Sequence, residues 1–233
     1  MPESRGTRPT TPLQARRPRP QFQLDPSSTI VDEDSNMRET ACDLNARIAG
    51  NVRRIRAERG LSLDALAAGS GVSRSMISRV ERGESSPTAV LLERIASGLG
   101  VVLSSLFEAT GGMDGPNPLS RRRDQALWRD PASGYVRRNV SPSGGSRRVQ
   151  IVEVRFPAGA RVAFENTRRR GRVDQQVWVL EGSIDLTVGE TRHRLEEGDC
   201  LAMGLDAPTM FHNPNKTAVR YAVVTESDPL PIP

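Results

Sequence analysis

The chain is short of most of the residues that carry metal, redox or membrane chemistry. Its two cysteines, Cys42 and Cys200, lie far apart and in no ligand-like spacing. That excludes a disulfide framework and a zinc ribbon, and it suits a reducing compartment. There are two histidines, His193 and His212, and only 4% of the residues are aromatic. No apolar run reaches the roughly 18 residues a spanning helix needs, so no membrane contact is expected. Arginines near the N-terminus have no apolar stretch behind them, so no secretory signal is expected and the cytoplasm is the expected location.

Lysine is almost missing as well. Lys216 is the one lysine among 33 basic residues, and the rest are arginine. Guanidinium is the better fork for phosphate and for guanine edges. A GC-rich genome that favours arginine codons produces the same excess, so the net charge of +5 permits nucleic-acid binding without establishing it.

The 233 residues suffice for one large domain or two small ones. Residues 1–40 hold prolines, arginines and Asp32-Glu33-Asp34 with almost no periodic apolar positions, and read as a disordered tail. Met37, just before the patterned region, offers an alternative start. Residues 41–108 are helical in pattern. The Gly- and Pro-rich stretch 109–120 reads as a linker. Residues 121–231 break into short β-rich runs, among them "YVRRNV", "VQIVEVRF", "QQVWVLEG", "SIDLTVG", "HRLEEGD" and "VRYAVV". Such runs between turn signals indicate a β-sandwich or barrel.

In the helical part, Leu44, Ile48, Val52 and Ile55 form one apolar stripe that Gly60 ends. Ser62 is a good N-cap for a short helix carrying Leu63, Leu66 and Ala67, which Gly69-Ser70-Gly71 should break. Ser73 can cap the next helix. Projected at about 100° per residue, Arg74, Ser75, Ser78, Arg79 and Arg82 share one arc, while Met76, Ile77 and Val80 share another. Two short helices joined by a tight turn make a helix-turn-helix, whose second helix enters the major groove. An ordinary solvated helix of a small bundle would show the same two arcs.

The run "IRAERGLSLDALAAGSGVSRSMISRVERGESSPTAVLLERIASGLGVVLSSLF" resembles the Cro/C1-type (XRE) helix-turn-helix family across all five of its expected helices. The resemblance implies a DNA-contacting face made of Ser73, Arg74, Ser75, Ser78, Arg79 and Arg82, with Arg74, Ser75 and Arg79 at the base-contacting positions. It also implies a half-buried Glu81 paired with Arg56. Leu63 stands where many relatives place a DNA-contacting glutamine, which leaves more of the readout to the third helix.

Residues 119–231 resemble a small cupin, a β-barrel (jelly-roll) of two facing sheets, through "VWVLEGSIDLTVGE" and "EEGDCLAMGLDAPTMFHNP". The resemblance places metal ligands at Arg168 to Gly171, at Gln175 and at Thr209, none of which is a carboxylate, imidazole or thiolate. No metal and no other cofactor is expected. Alternation along the strands puts Gln175, Val177, Thr209 and Phe211 inside and turns His212 and Trp178 outward. His193 reads as exposed and Cys200 as a small core side chain. Arg168 and Arg170 can sit at the barrel's mouth and attract a carboxylate or phosphate. Together these residues form the expected effector site.

The sequence therefore predicts a multi-domain α plus β chain, a five-helix DNA-binding domain followed by a cupin barrel. The expected function is a transcription regulator, not an enzyme, that binds double-stranded operator DNA as a homodimer and senses a small organic effector. The dimer contact is expected on the Trp178 face. A flexible linker would route coupling through the dimer and not along the chain. Other readings of the same residues are a cupin enzyme with a DNA-binding appendage and an antitoxin-like binder of a protein partner.

Overall fold

A computed structural model describes the backbone of residues 33–108, 117–142, 148–166 and 173–227, with side chains from Leu44 onward. Helix α1 spans Glu33–Glu58, and its Leu44, Ile48, Val52 and Ile55 stripe is buried. The helix starts within the segment read as tail. Residues 33–43 contain neither proline nor glycine, and acids at a helix start suit its dipole, so nothing stops the turn spreading back from the buried stripe. The tail's remaining part, 1–32, lies outside the described residues.

Helix α2 (Leu63–Ser70) is capped by Ser62, whose Oγ accepts from Ala65 N at 3.0 Å, and is ended by Gly71 at φ +69°. The break expected over Gly69-Ser70-Gly71 falls at Gly71, and Gly69 and Ser70 remain helical. Ser70 stays helical because its Oγ donates to Leu66 O at 2.7 Å, and the pair Gly69 and Gly98 lets two helices approach. Helix α3 (Arg74–Glu81) is capped by Ser73, and helix α4 (Ala89–Leu99) by Thr88. A Cβ at Gly98 would stand 2.7 Å from Ser70 Cβ, so only glycine allows α4 to cross α2 this closely. The fifth expected helix is a 3-10 turn, Leu103–Phe107. Five residues are too few to recover an α-helical nucleus, and the tighter i to i+3 bonding suits a short connector.

The β part holds ten strands among the described residues: β1 Leu127–Arg129, β2 Val136–Asn139, β3 Val149–Phe156, β4 Arg161–Phe164, β5 Val173–Glu181, β6 Ile184–Val188, β7 Thr191–Leu195, β8 Cys200–Gly204, β9 Thr209–His212 and β10 Val219–Ser227. They form a six-stranded sheet in the order β1-β2-β3-β10-β5-β8 and a four-stranded sheet in the order β4-β9-β6-β7. The strand pairs are antiparallel throughout, as a jelly-roll requires. Inside, Trp128, Tyr135, Phe156, Tyr221, Phe211 and Phe164 form a chain of ring contacts with centroids 5.8 to 6.2 Å apart.

The helical and β parts are packed against each other, while most of the stretch expected to link them, 109–116, lies outside the described residues. Asp130, buried in the loop after β1, accepts from Ala89 N at 2.9 Å and so adds a carboxylate to the N-terminus of α4. Arg94 Nη2 on the same helix lies 2.6 Å from Glu165 Oε1. Phe107 meets Trp128 edge-on at 5.5 Å. Asn51, fully buried, donates to the carbonyls of Leu106 (3.1 Å) and Glu108 (2.8 Å), and Gln150 Nε2 donates to Glu108 Oε1. Apolar burial here is continuous from one part to the other, and the linker's Gly/Pro composition gave no hint of it. No helix among the described residues is long and apolar enough to cross a membrane.

Candidate nucleic-acid interface and barrel chamber

Helix α3 divides as its sequence predicts. Ile77 and Val80 are buried, while Ser73, Arg74, Ser75 and Arg79 are exposed and Ser78 is half-buried. Arg74, Ser75, Ser78, Arg79 and Arg82 line one shallow concavity together with Leu63 of α2. Ser73 is occupied as the cap, its Oγ accepting from Met76 N at 3.3 Å. Arg74 Nε stands 3.3 Å from Asp64 Oδ1 across the turn, with both side chains largely exposed. Arg82 forks onto Glu84 at 2.6 and 2.7 Å and also donates to Ser78 Oγ. That pairing holds the Glu84 carboxyl below its ordinary range and the Arg82 guanidinium above its own. Arg79 forms no ion pair among the described residues. It is the arginine whose donors are free to meet a duplex without first breaking a contact.

The face is held at a defined angle by a pair on its reverse side. Arg56 Nε and Nη2 donate to Glu81 Oε1 and Oε2 at 2.6 and 2.9 Å, and Arg56 Nη1 donates to Leu61 O at 2.9 Å. The Glu81 hydrogen bonds raise the Arg56 pKa against the opposing effect of burial. This fork ties α1, the start of α2 and α3 together, which suits a bidentate arginine.

The barrel interior holds a small chamber with about 80 Å³ of free volume. Gln175, Thr209 and Phe211 line it as expected. Val177 is fully buried on the same face of β5 but is not part of the lining. Arg168 and Arg170 lie outside the described residues. Asn166, in the left-handed region at φ +50°, turns its amide inward and donates to Thr209 Oγ1 at 2.9 Å and Ala207 O at 3.2 Å. Asparagine tolerates that backbone better than most residues.

One side of the chamber is not β structure. Glu93 of α4 and Val102, Leu103 and Ser104 at the 3-10 turn belong to its lining. Glu93 is buried and has a partner of its own. Arg137 of β2 completes the charged lining with 8% exposure, its guanidinium 5.0 Å above the Phe107 ring. Burial pulls the Arg137 pKa down and pushes those of Tyr135 and Tyr221 up. Sequence reasoning missed Glu93, Tyr135, Arg137 and Asn166. For Arg137 a signal existed: Tyr135 immediately precedes β2 and lies two residues from Arg137, so in extended chain an inward tyrosine implies an inward arginine.

The donor set does not fit a transition metal. The positions where a cupin carries ligands hold the amide of Gln175, the hydroxyl of Thr209 and the arginines from Arg168, and neither amide nor hydroxyl is a good ligand for zinc, iron or copper. Among the described residues no three of His, Cys, Asp and Glu cluster. His212 is half-buried with Nδ1 3.8 Å from Asp185 Oδ2, beside Arg192 and Arg194, which pair with the same buried carboxylate. His193 is half-buried on β7, more covered than its sequence suggested. Cys200 is exposed, not a core residue. The β5–β8 register sets it opposite Trp178 on the outer face, whereas alternation sends Met203 inward.

A capped helix-turn-helix seated on a two-sheet barrel with a chamber between them defines a DNA-binding regulator with a cupin-like second domain. The HTH_3 helix-turn-helix family model matches residues 52–105. The HTH-type transcriptional regulator SutR of Escherichia coli is 27% identical over 174 residues, covering 75% of this chain and 91% of its own. The HTH-type transcriptional regulator y4dJ of Sinorhizobium fredii is 37% identical over 59 residues, which are 25% of this chain and 77% of that one. A crystal structure of an HTH_3 family transcriptional regulator from Vibrio cholerae superposes with a TM-score of 0.63 at 28% identity, over 81% of this chain and 98% of that one. The chain belongs to the HTH_3 family of helix-turn-helix transcriptional regulators.

Proposed function

We propose that the protein is a one-component regulator working in the cytoplasm, which binds operator DNA through α3 as a homodimer and senses a small organic molecule in its barrel without a metal. The observation that carries this reading is the composition of the chamber wall. Barrel strands supply most of it, and the DNA-binding part supplies Glu93 and Val102 to Ser104. A molecule held there touches both parts, so it can favour one arrangement of them over another. Such differential contact is what a ligand needs to shift an equilibrium. The reading favours a sensor over a cupin enzyme because the described lining offers no cluster of three metal-ligating side chains.

The homodimer part rests on symmetry and on an exposed face. One recognition helix reads only a few base pairs, and two-fold symmetry doubles the site at fixed spacing. Trp178, 49% exposed, shares the outer face of the large sheet with Ile151, which is also exposed. The test combines duplex selection from random DNA with a small-molecule library. The expected result is an inverted-repeat site whose affinity changes when a library member raises the protein's melting temperature. A selected site with no symmetry would remove the dimer, and binders that leave DNA affinity untouched would remove the sensor.

A further inference from the structure

Arg137 is a buried charged group for which no counter-charge is found among the described residues. It lies at 8% exposure on the chamber wall, and no carboxylate pairs with it among the described residues. Its polar contact is Nε donating to Asn139 Oδ1 at 3.3 Å, a long bond to a neutral acceptor. Its other contact is the face of Phe107 at 5.0 Å. Neither contact uses Nη1 or Nη2, and no hydrogen bond from these two atoms is found among the described residues. The chamber residues around it, Tyr135, Val152, Val154, Phe156 and Tyr221, are apolar or aromatic. A buried charge without a counter-charge is costly, and proteins retain one where a ligand supplies the missing partner.

We infer that the chamber takes a small organic acid, whose carboxylate is held by the Nη edge of Arg137 and whose apolar body packs among the aromatic rings. The inference rests on the reading of the barrel as a ligand chamber and adds the chemical class of the ligand. A planar carboxylate matches the guanidinium fork, and a largely apolar body matches the valine, phenylalanine and tyrosine walls, with the amides and hydroxyls of Asn166, Gln175 and Thr209 left for any further polar group. Arg137 also stacks on Phe107, the last residue of the 3-10 turn, so an acid drawn to the guanidinium bears on the segment that joins the DNA-binding part to the barrel.

The test uses the full chain with benzoate and hexanoate as probes and with benzamide and hexanamide as their uncharged counterparts, followed by melting temperature and titration calorimetry. At least one acid is expected to raise the melting temperature in a dose-dependent way, with its amide at least about tenfold weaker, the scale of a lost charged hydrogen bond. Arg137→Met should melt at the same temperature as the parent or about 2–4 °C higher, since it removes an uncompensated buried charge, and should not respond to the acids. Arg137→Lys should bind them weakly, keeping the charge but losing the fork. Amides as effective as the acids would overturn the inference and leave the sensor reading standing, and so would an Arg137→Met that still responds. A lower melting temperature for Arg137→Met would make the guanidinium a structural brace and overturn it as well. Failure of both acids, with neutral members of the library binding, refutes the acid class alone; failure of every compound refutes the sensor reading too.

Discussion

Arg79 and Arg56 show how two arginines of one small domain acquire opposite tasks. Arg79 is exposed on the polar arc of α3 and carries no ion pair among the described residues, whereas Arg74 and Arg82 are each already held by a carboxylate. Arg79→Ala is therefore expected to relax base preference at one position of the half-site by about 1–3 kcal/mol, leaving the fold intact. Arg74→Ala should act at a second position with a smaller effect, because its contact with Asp64 competes with DNA. Footprints of both variants that match the parent would contradict the recognition-helix assignment. Arg56→Ala acts on folding instead. It strands Glu81, whose side chain is 8% exposed, and should cost about 3 kcal/mol, read as a lower denaturation midpoint with unchanged base preference. An unchanged midpoint would mean that Glu81 finds water or another donor.

At the scale of elements, the 3-10 turn and its exit carry the junction. Glu108 follows the turn, half-buried, with its carboxyl accepting from Gln150 and its carbonyl from Asn51. Burial raises its pKa above the ordinary carboxyl value, outweighing the Gln150 hydrogen bond. A raised folded-state pKa means that the folded protein holds this proton more tightly than the unfolded chain does. The contribution is fully present below the unfolded value of 4.5 and is lost as pH rises through the folded value. Glu108→Gln keeps the side chain's shape and removes the titration. Its melting temperature should exceed the parent's at pH 7 and converge with it near pH 4. A constant difference across that window would show that Glu108 does not titrate on unfolding.

For the whole molecule, the proposed contact with a second copy is the outer face of the large sheet, where Trp178 and Ile151 are exposed. Trp178→Glu places a charge in the middle of that face without touching the chamber, because alternation along β5 points it outward. The full chain is expected to run as a dimer by light scattering and the variant as a monomer with an unchanged melting curve for the core. A variant that stays dimeric would move the contact elsewhere.

What the sequence determined by itself is what neighbouring residues decide. The caps at Ser62 and Ser73, the buried stripe of α1 and the two arcs of α3 depend on spacings of three and four residues, and all are legible in the order of residues alone. The inward and outward alternation of β5 and β9 is legible for the same reason, with a period of two. The family resemblance supplied the Arg56–Glu81 pair across 25 residues, which no local pattern could. Strands β1 and β4, three and four residues long, lie outside the β-rich runs that the sequence shows. The chamber's makeup was decided by tertiary structure alone. Arg137, Asn166, Gln175 and Thr209 come from four separate stretches, and Glu93 from a helix in the other part of the chain. They meet only because antiparallel register, the α4 N-terminus on Asp130 and the packing of Phe107 against Trp128 fold distant segments onto one cavity. Long-range packing leaves no periodic trace in a sequence, and the charge that gives this chamber its character lay in a run that reads as an ordinary strand.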